Sequence, residues 1–202
     1  MKIVYIEEPC CMRCGKPLKV EEQEYCADCG RRESSITQGK GLWLHKHPVS
    51  KAIYRFKYNN KRSWGEVFAK ELYENYKEQI KSWEIEEIIP IPLHPSKKRM
   101  RGYNQAEILA MKLSEYTGIP CQRNVLYRIQ KTTAQKQLGR EERGRNLKYA
   151  FGVSKLWHPV NNVLLIDDIY TTGATIESSA RLLKKAGALN IYFLTLSIGQ
   201  GI

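Results

Sequence analysis

The stretch of residues 163–175 restricts the fold of this chain more than any other part of the sequence. It begins with four consecutive apolar residues at 163–166, and such a short continuous run favours a strand buried on both faces. Two adjacent acids, Asp167 and Asp168, follow, and then a short loop of small residues. Apolar residues next recur at helical spacing up to Gly187, a typical helix stop. A strand, a loop and a helix in succession indicate an α/β fold.

The loop after the acids has the composition of an anion-binding site. Its residues are Thr171, Thr172, Gly173, Ala174 and Thr175. Small side chains let backbone N–H groups approach an anion, and a helix N-terminus favours negative charge. Two acids beside this loop would repel a bare phosphate. We therefore expect the acids to face ribose hydroxyls or a divalent metal.

These residues resemble the ribose-phosphate signature of type I phosphoribosyltransferases, in which an apolar strand precedes two acids and a Thr/Gly-rich loop. The resemblance implies an α/β fold with a mostly parallel sheet. It implies that Asp167 and Asp168, as the candidate catalytic residues, hold the ribose hydroxyls of phosphoribosyl pyrophosphate. Residues 171–175 would hold its 5′-phosphate, and Mg²⁺ would accompany the diphosphate.

Positive charge is concentrated in the middle of the chain. The net charge is +12, from 33 basic and 21 acidic residues, and residues 94–148 contribute thirteen Lys or Arg against four Glu. This basic region can face nucleic acid, pyrophosphate or both, or it can be a solvated face. No signal peptide and no apolar run near the length of a membrane span is present, so we expect a cytoplasmic protein without membrane insertion.

The N-terminal residues carry a pattern typical of a zinc site. Cys11 and Cys14 form one Cys-x-x-Cys pair, and Cys26 and Cys29 form a second. Such pairs aim four thiolates at one tetrahedral Zn²⁺ and leave no open position for substrate, so the metal is expected to be structural. Cys10 is a competing ligand, and Cys11 is favoured because its spacing matches that of the second pair.

This pattern also predicts the domain organisation. Residues 1–35 are too few to build a core, so we expect a zinc finger there, and a phosphoribosyltransferase-like domain at residues 36–202. Within the larger domain, residues 63–83 show helical periodicity, with Ser63 and Glu66 as a capping box. Residues 88–92 indicate a buried strand.

Two basic segments of the middle region have candidate roles. Residues 54–58 interleave aromatic and basic residues, which suits either stacking on single-stranded nucleic acid or inward packing of the aromatics. Residues 93–105 concentrate four cations in five positions before Gly102, which predicts a positively charged loop. A pyrophosphate is its natural occupant, with Arg99, Arg101 and Gly102 as the candidate contacts.

The segment Arg101-Gly-Tyr-Asn-Gln105 after a Pro-Ile-Pro-Leu strand end narrows the resemblance to the competence protein F (ComF) family. The later residues that follow the pattern of that family are Arg128, Thr132, Gln135, Leu138, Arg143, Asn146, Ala150 and Phe151. Membership implies a DNA-uptake factor of natural transformation that handles single-stranded DNA with an ATP-driven translocase. Residues 128–146 would form a loop that closes over the site or, alternatively, a DNA-contacting face.

The sequence is therefore compatible with three functions, of which the first and the third can both hold. The first is a DNA-uptake factor with a site for phosphoribosyl pyrophosphate or a related ribose phosphate and affinity for single-stranded DNA. The second is an active, magnesium-dependent phosphoribosyltransferase acting on an unidentified base or amine. The third is a sensor that binds phosphoribosyl pyrophosphate without turning it over.

Overall fold

The computed structural model describes residues 2–129 and 151–199 of this chain. The strands are β1 (Gln38–Leu44), β2 (Glu87–Pro90), β3 (Leu126–Arg128), β4 (Phe151–Val153), β5 (Asn162–Tyr170) and β6 (Asn190–Ile198). The helices are α1 (Ala27–Gly30), α2 (Val49–Tyr58), α3 (Trp64–Ser82), α4 (Pro95–Arg101), α5 (Gln105–Thr117) and α6 (Ala174–Ala186).

The central sheet has four strands in the order β1-β6-β5-β2, and each neighbouring pair is parallel. Strands β3 and β4 form a separate antiparallel pair. Helices α2, α3 and α5 contribute to the hydrophobic core on one face of the central sheet. Helix α6, the β3–β4 pair and the cysteine segment contribute to the core on the other face. The predicted α/β fold with a mostly parallel sheet is confirmed.

The sequence of β5 explains its central position. Its four apolar residues are fully buried, and successive side chains of a strand point to opposite faces. Leu164 and Ile166 accordingly pack with α2, α3 and α5, whereas Val163 and Leu165 pack with α6 and the β3–β4 pair. A strand covered on both faces needs this uninterrupted apolar run.

Two predictions about local structure are wrong. The strand does not stop at the acids, because β5 keeps its pairing with β6 to Tyr170, opposite Ile198. The cationic segment before Gly102 is the short helix α4 rather than a loop. The imidazole of His94 accepts a hydrogen bond from the backbone N–H of Ser96, Pro95 opens the helix, and Gly102 ends it in the left-handed conformation at φ 78°.

Other predicted elements agree with the structure. Helix α3 lies within the periodic residues 63–83, β2 overlaps the predicted strand, and α6 ends just before Gly187. The capping box is wrong, because the side chain of Ser63 makes no capping hydrogen bond. Phe56 is buried, whereas Tyr54 and Tyr58 are exposed, so the aromatics of residues 54–58 divide between the core and the surface.

The N-terminal residues lie against the main sheet. The backbone N–H of Ile6 donates to the carbonyl of Leu42 and that of Leu44 donates to Val4, so this segment forms an isolated antiparallel bridge to β1. Cys11 and Cys14 belong to the same hydrophobic cluster as α6. The domain boundary at residue 35 stays a prediction.

Candidate functional site

The two adjacent acids near the carboxyl end of β5 contact different layers of the fold. Asp168 is buried, and its Oδ1 lies 2.8 Å from Nζ of Lys57, which extends from α2. Asp167 is partly buried on the other side of the strand, where the guanidinium of Arg128 on β3 acts on its charge. The backbone N–H of Asp168 also donates to Oδ1 of Asp167 at 2.8 Å. The acid pair therefore links the layer containing α2 to the layer containing β3.

Burial and the neighbouring charge of Asp168 raise the pKa of Asp167 to about 7, against the opposing pull of Lys57 and Arg128. A carboxyl group with such a pKa exchanges its proton near neutral pH. Beside the pair, Nδ1 of His45 lies 2.9 Å from Oγ of Ser197. Burial, and then the charge of Lys57, lower the pKa of His45, which keeps that imidazole neutral at physiological pH.

Lys57 and His45 were missed by sequence reasoning. A signal for Lys57 existed, because Ile53 and Phe56 are apolar and Lys57 follows them at positions that share one helix face. Its partner Asp168 lies more than a hundred residues later, and no local pattern joins the two. For His45 the sequence offers no comparable signal.

The predicted phosphate loop divides between a bend and a helix start. Thr171 and Thr172 are exposed in the bend, Gly173 follows with φ 75°, and α6 already begins at Ala174. A Cβ at Gly173 would collide with the ring of Tyr170, so this position requires glycine for two reasons. The backbone N–H groups of the first helical turn provide the donors that an anion would need.

Four cations form one group, and two of them act on the acid pair. Lys57 and Arg128 belong to this group, and Lys97 and Arg101 of α4 complete it. Burial, and then the nearby positive charges of Arg128 and Arg101, lower the pKa of Lys97. Burial also lowers the pKa of Arg128, which the charge of Asp167 partly restores. Such an excess of positive charge is suited to a polyanion.

The three predicted pyrophosphate contacts lie in different surroundings. The guanidinium of Arg101 lies 4.5 Å from the ring centroid of Tyr58 and donates to its hydroxyl at 2.7 Å and to Oε1 of Gln105 at 3.1 Å. Arg99 is exposed on the same helix. Gly102 ends α4, and its carbonyl accepts from Arg62. Arg101 is thus the one of the three that the structure brings into the cation group.

The four cysteines of the two Cys-x-x-Cys pairs form one cluster. Their sulfur atoms all lie within 4.8 Å of one another, and those of Cys14 and Cys26 are 3.7 Å apart. Tetrahedral Zn²⁺ with thiolate ligands requires sulfur separations of about 3.8 Å. These four residues, Cys11, Cys14, Cys26 and Cys29, can therefore bind a metal such as zinc.

Cys10 lies outside the cluster, with its sulfur atom 3.2 Å from Nζ of Lys40, and burial raises the pKa of its thiol. Within the cluster, hydrogen bonds from Cys14 and then Cys29 lower the pKa of Cys11, which favours one thiolate. The guanidinium of Arg13 donates to the carbonyl of Cys29 at 2.7 Å. The geometry thus favours Cys11 over Cys10 as a ligand.

A cavity of about 190 Å³ lies between the cysteine segment and α6. Arg13, Arg32 and Arg181 line it together with Thr172 and Gly173 of the predicted phosphate loop. The phosphate loop therefore borders this cavity.

Curated relatives cover most of the chain. Competence protein F of Haemophilus influenzae is 35% identical over 188 residues, which are 91% of this chain and 82% of that protein. This chain belongs to the competence protein F family. Competence protein ComFC of Streptococcus pneumoniae is 30% identical over 91% of this chain and 79% of its own length. DNA utilization protein YhgH of Salmonella typhimurium is 25% identical over 90% and 80%.

The solved structures to which this chain is similar include phosphoribosyltransferases. A purine phosphoribosyltransferase from Pyrococcus horikoshii superposes with a TM-score of 0.42 at 19% identity, over 67% of this chain and 73% of that one. For adenine phosphoribosyltransferase from Saccharomyces cerevisiae the TM-score is 0.41 at 17% identity, over 63% and 68%. A scan against protein-family models gave no match. Within residues 2–129 and 151–199, none of the helices is long and apolar enough to span a membrane.

Proposed function

We propose that this member of the competence protein F family is a DNA-uptake factor of natural transformation that binds phosphoribosyl pyrophosphate or a related ribose phosphate. One observation carries the ligand assignment. Two carboxylates lie near the carboxyl end of a central parallel strand that leads into a helix N-terminus, and Lys57 and Arg128, from a group of four cations, act on Asp167. Open α/β sheets place their ligands at this edge, and a ribose diphosphate needs acceptors for its hydroxyls and cations for its phosphates.

Each part of the ligand has a candidate partner. Asp167 and Asp168 accept hydrogen bonds from the ribose hydroxyls, and the backbone of residues 171–175 holds the 5′-phosphate. Lys97 and Arg101 attract the diphosphate; Arg99 and Gly102 are retained as further contacts from α4. Mg²⁺ bound with the diphosphate supplies further neutralisation of its charge. Lys57 forms an ion pair with Asp168 and so holds this carboxylate in position.

Calorimetric titration with phosphoribosyl pyrophosphate and Mg²⁺ tests the ligand assignment. Asp168→Asn removes one charged acceptor, and we expect affinity to fall by about 10- to 100-fold, the usual effect of losing a hydrogen bond to a charged group. Glu74→Gln is a matched control, because it also removes a carboxylate paired with a lysine, but on the exposed surface of α3. Absence of binding by the wild-type protein would end this proposal.

The DNA-uptake role rests on the relatives and on the charge of the chain. The names of the relatives concern competence and DNA utilization, and the net charge is +12. We propose that the protein acts in the cytoplasm, binds single-stranded DNA and works with an ATP-driven DNA translocase. Contacts to phosphates release counterions, so the binding constant for an oligonucleotide is expected to fall steeply with salt. Negligible binding at low salt would contradict this role.

An active magnesium-dependent phosphoribosyltransferase is the second candidate. The observation in its favour is the position of Asp167, whose pKa of about 7 suits proton exchange beside the cations that would stabilise a departing diphosphate. Incubation with phosphoribosyl pyrophosphate, Mg²⁺ and a panel of bases and amines would then release pyrophosphate. Binding without release under all these conditions would instead favour the sensor.

We also propose that the four clustered cysteines hold structural Zn²⁺. Four thiolates complete a tetrahedral ligand set, so the metal would stabilise the fold of the N-terminal segment rather than bind substrate.

A further inference from the structure

The last two turns of α2 present an aromatic pair to solvent. Tyr54 and Tyr58 are 61% and 48% exposed, and their ring centroids are 4.8 Å apart, as expected for residues four positions apart on a helix. The opposite side of the same helix is anchored in the core by Ile53 and Phe56, which are fully buried. Two exposed large rings on a rigid helix form a surface to which a planar group can stack.

This helix also contacts both parts of the proposed ribose diphosphate site. Lys57 of α2 forms the ion pair with Asp168, at the ribose part. Arg101 of α4, at the diphosphate part, lies over the ring of Tyr58 and donates to its hydroxyl. Any ligand that recruits Arg101 therefore changes the contacts that hold Tyr58 of the exposed aromatic pair.

We propose that Tyr54 and Tyr58 form a stacking surface for the bases of single-stranded DNA, and that Arg101 serves either this surface or the diphosphate site, so that the two ligands weaken each other's binding. This inference rests on the proposed function, because it assumes that a ribose diphosphate and single-stranded DNA both bind. Weakening is reciprocal, since the free energy that couples two binding sites is the same in both directions.

The chemistry of the surface favours a single strand as its occupant. Unpaired bases expose flat faces that can stack on tyrosine rings, whereas the bases of a duplex are already stacked on one another. Arg101 places a positive charge beside Tyr58, and Lys97 is close enough to Arg101 for its pKa to respond, so a phosphate next to a stacked base would meet two cations. Aromatic rings beside cations are the pattern that proteins use to hold single strands.

We expect the ribose diphosphate and single-stranded DNA to compete because both would use the side chain of Arg101. While the guanidinium of Arg101 donates to the hydroxyl of Tyr58, it is turned toward α2. A diphosphate that takes up these guanidinium donors would remove the hydrogen bond to Tyr58. A bound diphosphate also cancels positive charge that Lys97 and Arg101 would otherwise offer to the DNA backbone.

The first test measures the affinity for a fluorescein-labelled oligo(dT) of about 20 nucleotides by anisotropy at low salt. Stacking of one base on an aromatic ring typically contributes ~1–3 kcal/mol, so Tyr58→Leu is expected to weaken binding by about 5- to 150-fold and Tyr54→Leu to act in the same direction. Tyr5→Leu is the matched control, because Tyr5 is also exposed, at 39%, and also contacts an aromatic ring, that of Trp43. Equal affinities for all three variants and the wild type would overturn the stacking surface.

The second test repeats the titration with saturating phosphoribosyl pyrophosphate and Mg²⁺. In the wild type, the oligonucleotide affinity is expected to fall at least threefold. Arg101→Lys keeps the charge but cannot stack over Tyr58, so it should reduce this coupling, whereas Arg55→Lys on the exposed side of α2 should preserve it. If both ligands bind but neither affects the other, the inference fails and the proposed function stands. If calorimetry detects no binding of phosphoribosyl pyrophosphate, both the inference and the proposed function fail.

Discussion

Replacing each acid of β5 by asparagine is expected to change stability in opposite directions, although the two residues are adjacent. For Asp167, a pKa raised from 3.8 to about 7 means that the ionised carboxylate is disfavoured by the fold. A shift of this size corresponds to about 4 kcal/mol at alkaline pH. Asp167 keeps some contact with solvent, and water recovers part of this penalty. We therefore expect Asp167→Asn to stabilise the protein by about 1–2 kcal/mol at pH 8.

Asp168→Asn is expected to act the other way. The side chains of Lys57 and Asp168 are only 18% and 12% exposed, and removing one partner of a buried pair leaves an uncompensated charge. The usual cost is about 3–5 kcal/mol. Lys57 also attracts Asp167, which can replace part of the lost interaction. We expect a destabilisation of about 2 kcal/mol.

Whether Asp167 makes the protein more or less stable as the pH rises depends on the direction in which the fold shifts the pKa of this residue. Because the folded-state pKa of Asp167 lies above its ordinary value, the folded protein binds more protons than the unfolded chain between about pH 4 and 7. The penalty for the ionised carboxylate therefore grows as the pH rises through this window and is constant above it. The advantage of Asp167→Asn over wild type should be larger at pH 8 than at pH 6.

Urea unfolding followed by tryptophan fluorescence at both pH values measures these differences. The control Glu74→Gln removes an exposed carboxylate that pairs with Lys77, and should change the free energy of unfolding by less than about 0.5 kcal/mol. The reasoning is refuted if both asparagine variants shift stability in the same direction. It is also refuted if the advantage of Asp167→Asn is the same at pH 6 and pH 8.

Three further predictions concern the loop and the N-terminal segment. Purified protein should carry about one zinc ion per chain. The Cys14→Ser variant should lose this zinc and become sensitive to proteolysis before residue 35. If mass spectrometry finds the zinc content of the variant unchanged, the cluster assignment is contradicted. Gly173→Ala should lower the free energy of unfolding, measured in urea, by about 2–3 kcal/mol, and Gly118→Ala by only about 1 kcal/mol. Both glycines have positive φ, but of the two only Gly173 lacks room for a Cβ. Equal losses of stability would argue against the clash. Glu177 accepts hydrogen bonds from Ser34 and from the amide at position 35, so Glu177→Gln should speed hydrogen exchange at that amide, and unchanged protection would refute it.

Local patterns predicted the elements well because they depend on residues close together in the sequence. The apolar run of β5 and the periodicity of α6 each lie within about a dozen residues, and glycine marks the end of the helix. The predicted end of β5 is wrong because two adjacent acids do not by themselves end a strand. Ile169 and Tyr170 after them have strong strand propensity and continue the pairing with β6.

The parts of the site that sequence could not supply are pairings across long separations. Lys57 pairs with Asp168, and Arg101 stacks on Tyr58 more than forty residues earlier. Only the packing of α2 and α4 near the carboxyl end of the sheet brings these residues together. The helix at α4, by contrast, had visible signals, since Pro95 begins it and Gly102 ends it.

The alternation of side chains along β5 makes its length more important than its composition. Exchange of one aliphatic residue for another between Val163 and Ile166 would alter packing by a few atoms. Insertion or deletion of a single residue there would rotate the rest of the strand by half a turn and exchange the partners of Asp167 and Asp168, giving each carboxylate to the opposite layer. In the evolution of this chain, residues 163–166 of β5 are therefore expected to tolerate exchange of one aliphatic side chain for another far better than any change in length.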